Sequence, residues 1–80
     1  RADSRIDYEV PPGGSDLSLA VYDVQGRRVR TLQDGWRPEG IAELHWDGRD
    51  DGGRPVPAGV YFVKLVAPGF DAVSRLVRVR

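Results

Sequence analysis

No cysteine occurs in the 80 residues, which removes disulfides, zinc-thiolate sites and thiol nucleophiles together. A chain this short buries only roughly 60% of the surface its unfolded form exposes, so packing alone must hold a thin core. No apolar run approaches the ~20 residues a membrane-spanning helix needs, so membrane insertion is not expected. The opening Arg1-Ala2-Asp3-Ser4 carries no signal-peptide apolar region, and the chain is expected to be a piece of a longer polypeptide whose export signal lies elsewhere. Net charge is missing as well: twelve basic residues balance twelve acidic ones, leaving no field to draw the chain onto nucleic acid. Sustained helical periodicity, internal repeats and low-complexity linkers are absent too.

What is present is short alternation punctuated by glycine and proline. Ile6, Tyr8 and Val10 alternate with Asp7 and Glu9 until Pro11-Pro12-Gly13-Gly14 stops the segment, which predicts an edge-like first strand. Leu17, Leu19 and Val21 face one way and Ser18, Ala20, Tyr22 and Val24 the other, the pattern of a central strand covered on both sides. Asp23-Val24-Gln25-Gly26-Arg27 is read as a hairpin turn returning through 28–32, followed by a loop over 33–40 in which Trp36 caps one end of the core. From Ile41 to Trp46 the alternation places Ala42, Leu44 and Trp46 inward. The run from Val60 to Ala67, broken only by Lys64, suits a second central strand, and Pro68-Gly69-Phe70-Asp71 turns the chain into a last strand whose Val73, Val77 and Val79 pack while Ser74 and Arg78 point away. Counting a short Pro55-Val56-Pro57 segment gives about seven strands at the spacing of a β-sandwich. The fold class read from these segments is all-β, a small immunoglobulin-like or fibronectin-type antiparallel sandwich occupying residues 1–80 as one domain.

Trp46-Asp47-Gly48-Arg49-Asp50-Asp51-Gly52-Gly53-Arg54-Pro55-Val56-Pro57-Ala58-Gly59-Val60-Tyr61-Phe62 joins two of these strands through a dense run of turn formers. Together with Leu19 to Leu32 upstream, it resembles the immunoglobulin-like domain of the flagellar hook-capping protein family, which recurs as a C-terminal module of bacterial secreted proteins. The ending Val73 to Arg80 and the strand Gly59 to Leu65 are also similar to C-terminal sorting domains of the type IX secretion system, from which the longer turn after Trp46 departs. The resemblance implies an extracellular or cell-surface location and a C-terminal place in a larger protein. Its implied partners are other protein domains or the secretion and surface-assembly machinery.

Each chemistry-bearing group has a structural alternative. Asp47, Asp50 and Asp51 invite a calcium site, but Arg49 interrupts the alternate ligand spacing, so turn-capping carboxylates are favoured and no cofactor is expected. His45, the single histidine, has no serine in a nucleophile-elbow sequence to serve and reads as an exposed strand residue. Carboxylate pairs drawn from Asp7, Glu9, Glu39 and Glu43 lack a deep cleft in so small a sandwich, so catalysis is not expected. Trp36, Tyr8 and Tyr61 are read as core residues, with a sugar-stacking platform as the alternative.

The function read from this sequence is therefore a noncatalytic accessory domain acting in sorting, attachment or assembly. Its candidate contact is the last strand at Arg75, Val77, Arg78, Val79 and Arg80, where an exposed edge can add to a partner sheet. Two alternatives stay open, a self-assembling extracellular structural subunit and a glycan-binding module.

Overall fold

The structure is a computed structural model and describes residues 4–79. Six strands follow in chain order: β1 (Ser4–Val10), β2 (Ser15–Tyr22), β3 (Arg28–Arg37), β4 (Gly40–Trp46), β5 (Gly59–Ala67) and β6 (Phe70–Arg78). Every strand pairing is antiparallel, and the strands divide into a small β1-β4 sheet and a larger sheet ordered β3-β2-β5-β6. The chain is thus an all-β, immunoglobulin-like fold, with β2 and β5 central in the larger sheet as their apolar runs imply.

Strand alternation fixes which side chains meet between the sheets. Leu19, Val21, Trp46, Tyr61 and Val63 form the buried cluster, and Ile6, Tyr8, Val29, Leu32, Leu44 and Leu76 pack against it half-buried. Ala42 and Trp46 of β4 are buried while Ile41, Glu43 and His45 face water, the orientation the alternation predicts. Trp46 meets Tyr61 edge-on with ring centroids 5.3 Å apart, a geometry that aligns the positive ring edge with a negative face.

Four expectations are corrected. Residues 33–37 are strand rather than loop: β3 continues to Arg37, pairing with β2 from Ser15 to Leu19. Register shifts at Leu19/Ala20 and Val21/Tyr22 absorb the offset, and the breakers Pro38 and Gly40 lie just past the strand end. Trp36 is 59% exposed and does not cap the core. Its ring lies across Gly14 instead, where φ is +81° and a side chain would overlap the indole.

The third correction concerns the expected seventh strand. Pro55 makes only an isolated bridge to Arg49, because the two prolines flanking Val56 have no N–H to donate and only Val56 N–H bonds back, to the Gly48 carbonyl at 2.9 Å. The fourth is the facing of β6. Tyr61 pairs with Leu76 and Val63 with Ser74, so Ser74, Leu76 and Arg78 share the inner face while Val73 and Val77 face water. A shift of one residue exchanges the two faces of a strand, and alternation alone left this choice to the packing of β5.

Candidate docking surface

The connection from Trp46 to Gly59 is held by its own side chains. The indole Nε1–H of Trp46 donates to the Arg49 carbonyl at 2.9 Å. Asp47 Oδ1 accepts from Arg49 N–H at 3.0 Å and from Arg30 Nη1 at 2.9 Å. Asp50 Oδ1 accepts from the N–H groups of Gly52 and Arg54, both at 2.9 Å. Asp51 Oδ1 accepts from Thr31 N–H at 3.0 Å and so pins the turn to β3. The three candidate calcium ligands therefore hold three different stretches of backbone, and among the described residues no group of three or more His, Cys, Asp or Glu converges on a metal position.

Titration follows this bonding. Desolvation pushes the Asp47 carboxyl up, but the Arg49 N–H bond and the Arg30 guanidinium together outweigh it and hold the group below its ordinary value. Asp23 organises the first hairpin in the same way. The bond from Arg27 N–H, with that from Gln25 N–H and the Arg27 guanidinium, lowers its carboxyl against an opposing desolvation. Burial pushes the Tyr61 phenol up, and its hydroxyl donates to the Pro57 carbonyl at 2.7 Å. A depression of about 400 Å³ lies between the two turns, and the carboxylates lining it, Asp23, Asp50 and Asp51, are the ones already bonded to backbone.

The remaining candidates are dispersed. His45 Nε2 lies 2.8 Å from Glu43 Oε2 on the exposed face of β4. Tyr61 is buried and Tyr8 half-buried, while Trp36 stands opposite Asp16 on the outer side of the larger sheet, so these three rings share no face on which a sugar could stack.

Among the described residues the last strand forms one edge of the larger sheet, with β5 as its single partner there. Arg75 is exposed, and Val77 and Val79 are 57% and 68% exposed. Arg78 behaves differently. Its guanidinium lies 5.9 Å from the Trp46 ring centroid and so close to Gly48 that a Cβ there would overlap it. Gly48 holds φ +78°, so the Trp46-Asp47-Gly48 step depends on glycine twice, for its backbone and for the space Arg78 fills. Arg80 lies outside the described residues. Across the outer face, the pairing aligns Tyr22, Phe62 and Arg75 in one row and Ala20, Lys64 and Val73 in the next. Sequence reasoning missed this half-apolar face because its valines were read as core.

Two facing antiparallel sheets with a free, apolar-sided edge define an immunoglobulin-like β-sandwich module. More particularly, the chain belongs to the FlgD Ig-like domain family, which matches residues 1–69. It is 32% identical over 59 residues to the basal-body rod modification protein FlgD of Salmonella typhimurium, and equally to that of Salmonella typhi. Each match covers 74% of this chain and 25% of the relative, so the chain spans a quarter of the length of those proteins. The crystal structure of FlgD from P. aeruginosa superposes with a TM-score of 0.72 over 95% of this chain and 61% of the other, at 23% identity, which supports the fold. The family is a noncatalytic one.

Proposed function

We propose that this domain is an accessory module of a longer bacterial protein working outside the cytoplasm, where it joins protein to protein during assembly of a flagellar basal-body or hook structure. The support is family membership together with relatives named as basal-body rod modification proteins. On this reading residues 1–80 are one immunoglobulin-like domain at the C-terminal end of its parent.

The observation that carries the contact is the free edge of β6 with Val73 and Val77 turned to solvent. Such an edge offers unpaired backbone groups that give affinity, while Arg75, Val77 and Val79 at its side give specificity. Arg78 contributes by holding the strand against Trp46, and its role is to position the edge. The likeness of Val73 to Arg80 to sorting domains finds no echo in the names of the matched relatives, so assembly is preferred to export.

The test is a Val73→Lys, Val77→Lys double variant in the full-length parent. Lysines on an exposed strand face leave folding nearly unchanged but oppose edge addition. The expected result is normal export with failed assembly of the surface structure. Normal assembly would overturn the reading, and failed export would turn it toward sorting.

A further inference from the structure

The larger sheet has four strands and the smaller one two, and this mismatch leaves a second edge beside an open part of the core. Among the described residues β1 pairs only with β4, so its far edge presents N–H and C=O groups with no ladder partner. Next to it lies a slot of about 250 Å³ whose apolar lining is Ile6, Val63 and Leu76, with Arg5 and Asp7 of β1 and Ser74 and Arg75 of β6 at its polar sides. No β4 residue lines this slot, which places it on the side of β1 away from its partner strand. Ile6 and Leu76 face the core yet stay only half-buried, as expected where one more strand would be needed to cover them.

The charges beside that edge specify what fits. Arg5, Asp7 and Glu9 form the exposed row of β1. Asp7 stands directly across from Glu43, a like-charge pair that destabilises a sheet, and Arg5 offsets it from 3.1 Å. Glu9 stands across from Ile41 and has no cationic partner among the described residues. An added strand that brings positive charge to this row lowers the repulsion, and one that brings negative charge raises it.

We propose that the β1 edge is a strand-acceptor site for an extended segment of a partner protein, with alternate apolar residues entering the Ile6-Val63-Leu76 slot and lysines or arginines facing Asp7 and Glu9. Backbone hydrogen bonds hold the segment, the slot fixes its register and the acidic row selects its charge. This contact uses the backbone edge of β1 and not that of β6, while Arg75 and Leu76 of β6 line the slot.

The test titrates the isotope-labelled 80-residue chain with two peptides the length of β1, seven residues, one alternating valine with lysine and the other valine with glutamate. The lysine peptide is expected to shift the Arg5 to Val10 amides and slow their hydrogen exchange by about tenfold or more at saturation. The glutamate peptide is expected to bind roughly fivefold or more weakly. The Asp7→Lys, Glu9→Lys double variant, changed only at exposed positions, is expected to reverse that preference, with β5 amide shifts verifying an intact fold. The proposal is overturned if the lysine peptide does not bind at millimolar concentration, if its shifts fall on β6 in place of β1, or if charge reversal leaves the preference unchanged. Concentration-dependent self-association that protects the β1 amides without peptide would also overturn it, because a second copy would then be the occupant.

Discussion

The Trp46–Gly59 connection and strand β6 touch through Arg78 and Trp46, yet they are specified in different ways. In the connection, Asp47 and Asp50 bond to N–H groups two to four residues away, so its shape follows from neighbours in sequence. In β6 the facing of the side chains comes from pairing with β5. Local bonds make a rigid segment legible from sequence. A strand placed by its partner keeps one side free, and that freedom is what a docking edge requires.

The comparison can be broken most severely at its shared anchor. Trp46→Ala removes the largest buried ring and the surface on which Arg78 rests, and is expected to lower stability by about 3–5 kcal/mol, read from denaturant midpoints. For a domain of this size that approaches global unfolding. A smaller break is Gly48→Ala, which forces a side chain into a positive-φ position and against Arg78; a loss of about 2 kcal/mol is expected. In an Arg78→Ala background the loss should shrink, whereas Gly53→Ala, with φ +87° and open space around it, shows only the backbone part.

The facing of β6 is sharpened by a pair of neighbours. Leu76→Ser is expected to destabilise by about 1–2 kcal/mol and Val77→Ser by less than about 0.5 kcal/mol, compared by thermal unfolding. Equal losses would put both residues in similar surroundings and refute the assigned register.

The smallest effect is electrostatic. The folded-state pKa of Asp47 is depressed below 3.8, so the stability it contributes is present above that value and is lost as pH falls through the folded pKa. Unfolding midpoints are therefore expected to decline on the acid side of about pH 4, with a shallower decline in Asp47→Asn. Asp23 and Asp47, both lowered and both in turns, contribute to this acid-side slope.

Much of the sandwich was legible because alternation and turn chemistry are properties of adjacent residues. Ala42, Leu44 and Trp46 turn inward as their spacing requires, Asp23 to Arg27 closes the hairpin, and Asp47 and Asp50 accept bonds from nearby backbone N–H groups. The β3 extension was hidden because Gly35 and the nearby Pro38 look like loop, while the pairing that rescues the strand belongs to β2. The last strand lies at the end of the sheet order, but its inner and outer residues are the reverse of those expected.

The order of residues alone determined an all-β chain, the places where it turns and the family to which it belongs, since each depends on short-range geometry. Only the tertiary structure decided that β6 shows its valines to water, that Arg78 folds back over Trp46, and that among the described residues β1 pairs with β4 alone. Those outcomes depend on which strands lie side by side, and a strand of period two has no internal means of choosing between its two faces.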